Sequence, residues 1–102
     1  MTNLLQETIE FLRDMDKTPA DVCWVGDHDS YYSWDEFATK ANIEYDEGFG
    51  AYEIDLNLIV VGKDWWLERH EYDGSENWEY KELPERPAAK GNVKITTKYW
   101  KT

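Results

Sequence analysis

Histidine and cysteine, the side chains that most often carry acid–base, nucleophilic or zinc chemistry, occur only three times in this chain of 102 residues. They are His28, His70 and Cys23. No H-x-x-x-H or C-x-x-C spacing accompanies them, so a zinc site would depend on carboxylates for its remaining ligands. A catalytic histidine also needs a nucleophile or a second acid–base group beside it, and the sequence identifies none. We therefore expect no catalytic residue, no metal and no cofactor.

The polar segment that follows Val25 resembles part of a calcium-binding loop. The residues that match positions three, five, nine and twelve of an EF-hand are Asp27, Asp29, Ser33 and Glu36. The first position, however, is Val25 instead of an oxygen ligand, and the sixth is Ser30 instead of the glycine that permits the sharp turn. The sequence favours a polar turn followed by a capped helix over a metal site.

Carboxylates are too abundant here for their proximity to indicate a catalytic pair. The chain has 22 Asp and Glu against 11 Lys and Arg, a formal net charge of −11. Residues 1–85 hold all 22 acids and six of the bases, hence −16, whereas residues 86–102 hold five bases and no acid, hence +5. An acidic body attracts basic surfaces and repels nucleic acid and anionic membranes. We therefore expect a protein partner with a basic surface, no direct nucleic-acid partner and no membrane partner.

Acidic and aromatic side chains together form the strongest candidate for a binding surface. Spaced carboxylates can imitate a phosphate backbone, and Tyr and Trp are favoured anchors at interfaces. The predicted partner-binding residues are Glu44, Tyr45, Asp46, Glu47, Phe49, Tyr52, Glu53, Asp55, His70 and Trp78. Two alternatives stay open: a small-molecule-binding or hydrolytic domain around His70, and an accessory protein that forms homodimers or larger homo-oligomers through a sheet edge or its last strand.

The elements that would position these residues begin with two helices. Apolar residues at spacings of three and four predict an amphipathic helix over residues 3–15, capped by Thr2 or Asn3. Ser33 and Glu36 have the spacing of a capping box, which predicts a second helix over residues 34–41. Between the helices, residues 18–21 predict a single helical turn or a tight turn. Residues 22–25 predict a short buried strand that keeps the Cys23 thiol buried and inert.

The second half of the chain predicts an antiparallel meander. Strands are expected over residues 56–61, 65–72 and 77–83, joined by turns at 62–64 and 73–75. The first of these strands is apolar on both parities, so we expect cover on both of its faces, from helices on one and from loops or a partner on the other. The aromatic residues of the second hairpin are expected to form a ladder across it, with His70 half buried among the rings. The members of this ladder would be Trp66, His70, Tyr72, Trp78 and Tyr80.

These elements predict one domain of the α+β class, with two helices packed on a three- to five-stranded antiparallel sheet. Residues 1–87 would be the acidic domain, and residues 88–102 a basic strand or tail that lies against it. The longest apolar run covers residues 58–61, far fewer than the roughly 20 residues of a membrane helix. The N-terminal residues lack the pattern of a signal peptide. A cytoplasmic protein is therefore expected.

Several segments resemble small acidic uncharacterised proteins carried by phages and prophages of Gram-positive bacteria. The segments are residues 24–26, 33–37, 44–50 and 61–81, and the resemblance covers most of residues 4–84. It carries over no catalytic residues. It implies an inhibitor of host defence or of a host nucleic-acid enzyme, of the anti-CRISPR type, that acts in the host cytoplasm. The function expected from charge and resemblance together is a non-enzymatic inhibitor that occupies a basic nucleic-acid-binding surface of a host protein.

Overall fold

The computed structural model of this protein describes residues 1–46, 48 and 53–97. Its elements in chain order are β1 (Thr2–Asn3), α1 (Leu4–Asp14), a single 3-10 turn (Pro19–Asp21), β2 (Trp24–Gly26), β3 (Tyr31–Tyr32), α2 (Trp34–Lys40), β4 (Glu44–Tyr45), β5 (Ile59–Val61), β6 (Trp65–Tyr72) and β7 (Ser75–Glu82). β1 pairs with β4, and the other strands form a five-stranded antiparallel sheet in the order β3-β2-β5-β6-β7. The predicted α+β class, with two helices, an antiparallel sheet and a meander in the second half, is confirmed.

Both helices begin at capping residues that the sequence predicts. The Asn3 side-chain oxygen accepts the N–H of Gln6 at 3.0 Å at the start of α1. At the start of α2, the Ser33 N–H donates to the Glu36 carboxylate at 2.9 Å, and the Glu36 N–H donates to the Ser33 hydroxyl at 3.2 Å. These bonds satisfy backbone N–H groups that the first turn of a helix leaves without partners.

The hydrophobic core lies between the two helices and one face of the five-stranded sheet. Val25, Val60 and Leu67 are direct neighbours across β2, β5 and β6 and are all fully buried. Leu12 from α1 and Phe37 from α2 belong to the same buried cluster. Because side chains alternate along a strand, only one face of the sheet contributes to this cluster.

The opposite face of the five-stranded sheet, called here the open face, has no helix over it in the described part of the chain. Trp24, Val61 and Trp66 are direct neighbours on this face and are half-buried. Tyr31 and Tyr72 lie on the same face and are 73% and 75% exposed. The sequence predicts cover by loops or a partner for this second face of β5, and its side chains there, Ile59 and Val61, are half-buried.

The register of the β6–β7 hairpin corrects the predicted aromatic ladder. The turn has two residues, 73 and 74, both with positive φ, so paired residues across the hairpin have numbers that add to 147. Trp78 is therefore opposite Arg69 and faces the core, whereas His70 is opposite Asn77 on the open face. The prediction of a half-buried His70 stacked against Trp78 is wrong, since the two side chains point to opposite faces of the sheet.

Cys23 and residues 88–97 are exposed in the structure. Cys23 precedes β2 and is exposed, so the prediction of a buried thiol is wrong. Residues 88–97 are exposed and contain no helix or strand, which makes the described part of the basic segment a tail. In the described residues, the basic side chains of this tail make no ion pair with the acidic body. No helix of the described chain has the length and apolar character needed to cross a membrane.

Candidate partner-binding surface

A buried ionic network lies beneath the segment that carries most of the predicted site residues. Arg69 on β6 has a fully buried side chain, and its Nη2 donates to Glu76 Oε1 and to the Tyr45 hydroxyl, each at 3.0 Å. Its Nη1 is 3.5 Å from Glu7 Oε1, and the Tyr45 hydroxyl donates to the same oxygen at 2.7 Å. The guanidinium also lies over the Trp78 ring, 4.6 Å from its centroid. A buried charge requires this kind of pairing, because desolvation otherwise makes it very costly.

Two groups in this network have pKa values that hold their protons in place. Burial raises the pKa of the Tyr45 phenol, and its hydrogen bond to the Glu7 carboxylate raises it further. Burial alone would lower the pKa of Arg69, but the hydrogen bond to Tyr45 and the charge of Glu7 outweigh this effect and raise it. The phenol therefore stays a hydrogen-bond donor and the guanidinium stays charged, so the role of these two groups is structural.

The network fixes both ends of the acidic segment, defined here as residues 44–55. Tyr45 ties the start of the segment to the network through its hydroxyl. Near the other end, the Glu76 carboxylate accepts the N–H of Glu53 at 2.8 Å and the N–H of Ile54 at 3.2 Å. The Asp46 N–H donates to the Glu53 carboxylate at 2.7 Å, which joins the two ends to each other. The positions of the two described ends of the acidic segment thus depend on charged side chains from α1, β6 and β7.

The predicted partner-binding residues divide into exposed, buried and undescribed members. The exposed members are Glu44, Asp46, Glu53, Asp55 and His70. The buried members are Tyr45 and Trp78, each 3% exposed, so they serve the core and do not reach a partner. The members that lie outside the described residues are Glu47, Phe49 and Tyr52. Within the described chain, no ion pair involves the four exposed carboxylates of the acidic segment, although those of Asp46, Glu53 and Asp55 accept backbone N–H groups.

His70 lies on the open face beside the surface ion pair of Glu79 and Lys81. Its Nε2 is 3.6 Å from a Glu79 carboxylate oxygen, and Glu79 is also paired with Lys81 at 2.7 Å. The hydrogen bond from Lys81 lowers the pKa of Glu79, which keeps that carboxylate ionised. Among the described residues, no group of three or more His, Cys, Asp or Glu side chains is placed to hold a metal ion. His70 is therefore not part of a built metal site.

The tip of the β2–β3 hairpin is a second surface feature, which the sequence did not predict. The rings of Trp24 and Tyr31 lie 6.3 Å apart on the open face, with their planes at 72°. Beside them is a hollow of about 280 Å³ that is also lined by residues 27–30 of the connecting turn. The Asp27 carboxylate accepts the N–H groups of Asp29 and Ser30 at 2.8 and 3.0 Å, and these bonds lower its pKa. The tip thus combines two aromatic rings with an ionised carboxylate.

The hairpin tip is continuous with the acidic segment. A second hollow, of about 190 Å³, lies on the other side of Tyr31 and is lined by Asp27, Tyr32, Asp55 and Leu58 among others. The signal for this surface in the sequence is the pair of tyrosines directly after a polar turn. In a hairpin, two consecutive aromatic residues place one ring on each face of the sheet. Here Tyr31 lies on the open face, and Tyr32 lies on the helix side beneath Lys40.

Comparisons of the chain with protein-family models, with curated proteins and with solved structures found no match.

Proposed function

We propose that this protein is a non-enzymatic binding domain that occupies a basic surface of another protein. The observation that carries the proposal is the acidic segment, whose four described carboxylates are exposed and without ion pairs in the described residues. The segment is held in place by a buried network of charges. Buried ion pairs are often no more stabilising than well-packed apolar residues, so stability alone does not account for such a network. We infer that the network is retained because it positions the charged surface.

The charge of the body determines which partners it can attract. Residues 1–85 carry 22 acids and six bases, a formal charge of −16, and the described basic tail does not neutralise it through ion pairs. Such a field accelerates encounter with a basic surface, and the effect weakens with salt because the Debye length is about 8 Å at physiological ionic strength.

Nucleic-acid-binding proteins present the basic surfaces that best complement a row of carboxylates, because those surfaces are built to hold phosphates. We therefore propose a protein of this class as the partner. The resemblance of several segments to small acidic phage proteins supports a narrower version. In that version, the protein is a phage-encoded inhibitor of host defence, of the anti-CRISPR type, that acts in the host cytoplasm.

The proposal is tested by partner capture with two charge-matched variants. The acidic-segment variant carries Glu44→Gln, Asp46→Asn, Glu53→Gln and Asp55→Asn. The control variant loses four exposed acids elsewhere, through Glu10→Gln, Asp14→Asn, Asp35→Asn and Glu85→Gln. Amides keep an oxygen that can accept the backbone N–H bonds made by the carboxylates of the acidic segment, so both variants should fold.

Bacterial lysate is passed over immobilised wild type and both variants at 50 and 300 mM NaCl, and retained proteins are identified by mass spectrometry. We expect wild type and the control variant to retain the same nucleic-acid-binding protein at 50 mM, and the acidic-segment variant to lose it. Purified partner should release its nucleic acid when wild type is added. Equal retention by both variants, or retention undiminished at 300 mM, would contradict the proposal.

The alternative function around His70 has less support from the geometry. It uses the side chains of Trp66, His70, Tyr72 and Trp78 with nearby carboxylates, but the register places Trp78 on the opposite face of the sheet from the other three. The Trp78 indole is also engaged in the core, where its Nε1 donates to the Thr8 hydroxyl at 2.9 Å. We therefore do not propose a catalytic or small-molecule function for this hairpin.

A further inference from the structure

A shallow hollow at the tip of the β2–β3 hairpin has room for one side chain of a partner. Its volume is about 280 Å³, just below the roughly 300–1,000 Å³ of most small-molecule sites. The rings of Trp24 and Tyr31 line it in an edge-to-face arrangement, with their planes at 72°, and Tyr31 is 73% exposed. An exposed tyrosine at the edge of a hollow is accessible from solvent without any rearrangement of the fold.

Among the described residues, cations stack on several aromatic rings but not on those of Trp24 and Tyr31. Arg69 lies over the rings of Trp78 and Tyr45, 4.6 and 5.5 Å from their centroids. Lys40 lies over Tyr32 and Lys17 over Trp65, each 5.6 Å from the ring centroid. Within the described residues, no basic side chain lies over Trp24 or Tyr31. These two rings therefore have faces that remain open to a cation from outside the chain.

The charges around the hollow have the sign that a cation requires. The faces of aromatic rings are electronegative, and the turn adds the carboxylates of Asp27 and Asp29. Asp55 lines the neighbouring hollow on the other side of Tyr31. His28 is a further lining residue. An anionic or apolar group would leave these carboxylates without a counter-charge.

We propose that this hollow binds a guanidinium, the side chain of an arginine on the partner. A guanidinium is planar, so it can stack on one ring while its N–H groups donate to a carboxylate at the rim. A lysine ammonium is a more strongly hydrated point charge and gains less from such a slot. The inference rests on the proposed function, because it assigns an anchor to the same basic partner. The acidic segment would attract the partner, and the hollow would fix one arginine.

The test is an NMR titration of ¹⁵N-labelled full-length protein at pH 7.5. The probe is N-acetyl-arginine N-methylamide, and its neutral counterpart is the same compound with citrulline. We expect the arginine probe to shift the Trp24 indole N–H and the backbone N–H signals of Asp29 and Tyr31 in a saturable manner. Lysine should give weaker shifts, and citrulline should give none.

Two matched pairs of variants locate the site. Tyr31→Ala should weaken binding of the probe about five- to tenfold, the effect of one cation–π contact and its wall. Tyr72→Ala removes a tyrosine of similar exposure on the same face and should leave binding unchanged. Asp29→Asn should weaken binding, whereas Asp35→Asn, an exposed acid on α2, should not. Citrulline shifts equal to those of arginine, or full binding by Tyr31→Ala, would overturn the inference.

An octa-arginine peptide separates this inference from the proposed function. Shifts in the acidic segment without shifts at Trp24 and Tyr31 would overturn the guanidinium site and leave the proposed function standing. Shifts at Trp24 and Tyr31 support the site, even where the acidic-segment variant still captures every partner and the proposed function fails.

Discussion

Glu76→Gln measures how far the buried network supports the fold. The Glu76 side chain is 1% exposed and accepts hydrogen bonds from Arg69 Nη2 and from the N–H groups of Glu53 and Ile54. An amide keeps one acceptor oxygen but turns the other position into a donor, and it removes the counter-charge of the guanidinium. Removing one partner of a buried ion pair costs about 3–5 kcal/mol. Glu7 still neutralises part of the Arg69 charge from 3.5 Å, so we expect the lower end, about 3 kcal/mol.

Urea unfolding followed by tryptophan fluorescence reads this loss directly. With a slope of about 1.5 kcal/mol per molar urea, a loss of about 3 kcal/mol lowers the midpoint by about 2 M. Glu79→Gln is the matched control on the same strand, because Glu79 is 39% exposed and belongs to a surface ion pair. It should leave the midpoint unchanged. Arg69 and Ile54 donate to the same oxygen of Glu76, whereas Glu53 donates to the other. A glutamine that keeps its oxygen toward Arg69 leaves Glu53 without an acceptor, so hydrogen exchange at the Glu53 amide should accelerate more than exchange within β6.

A double-mutant cycle with Arg69→Met determines whether the two residues act as a unit. Each single change leaves an uncompensated buried charge, whereas the double variant Arg69→Met/Glu76→Gln removes both charges. The double variant should therefore cost about 1–3 kcal/mol less than the sum of the two single changes. Single costs that add to within about 0.5 kcal/mol, or a midpoint shift below about 0.5 M for Glu76→Gln, would refute the reasoning.

Three further changes probe the phenol, the hairpin tip and a helix cap by urea unfolding. The pKa of Tyr45 is raised above its ordinary value of 10.0, so its contribution is complete below pH 10 and is lost as pH rises further. From pH 10 to 11, the free energy of unfolding of wild type should fall by up to about 1.4 kcal/mol more than that of Tyr45→Phe. Gly26→Ala should cost about 1–3 kcal/mol, because the new Cβ overlaps the Ser30 carbonyl oxygen. Gly91→Ala, whose Cβ meets nothing within 4 Å, should cost nothing measurable. Ser33→Ala removes the α2 cap and should cost about 1 kcal/mol, most of which Ser33→Asp should restore.

The elements that the sequence predicts well depend on chemistry between near neighbours. Asn3 and the pair Ser33 and Glu36 cap their helices because each side chain reaches a backbone N–H within three residues. β6 has the predicted bounds, because turn residues interrupt the pattern on both sides. In contrast, β5 begins at Ile59 rather than at residue 56, since the apolar run alone does not define where backbone pairing starts.

The sequence contains the signal that sets the register of the β6–β7 hairpin. The three-residue turn predicted at 73–75 is one residue too long. An Asp-Gly pair favours a two-residue turn with positive φ at both positions, and the structure has φ of 52° and 85° there. Counting outward from that turn places Trp78 opposite Arg69. A three-residue turn shifts the pairing by one residue, which moves every side chain of β7 to the other face. The aromatic ladder failed for this reason.

The buried network could not be predicted from local sequence. Arg69 and Glu76 lie in a hairpin rich in charged residues and have the pattern of surface residues. Their burial depends on Glu7 and Tyr45, which are 62 and 24 residues from Arg69 along the chain and reach it only through the packing of α1 and β4. The prediction for Cys23 fails in the opposite direction. Its apolar neighbours in the sequence indicate burial, but the residue is exposed.

The acidic segment should strengthen partner binding and lower the stability of the fold. A surface whose charges only keep the protein soluble should show neither effect, so the two measurements together distinguish a functional surface from a solubilising one. The Asp46 N–H donates to the Glu53 carboxylate, which keeps these two acidic residues near each other, so their like charges oppose each other. A surface that only keeps the protein soluble has no need to hold acids so close. Glu44→Gln and Asp46→Asn should therefore raise the melting temperature at 20 mM NaCl while they weaken partner capture. The gain should vanish at 500 mM NaCl, where screening removes the repulsion. A melting temperature that falls with either change would show that these carboxylates stabilise the fold.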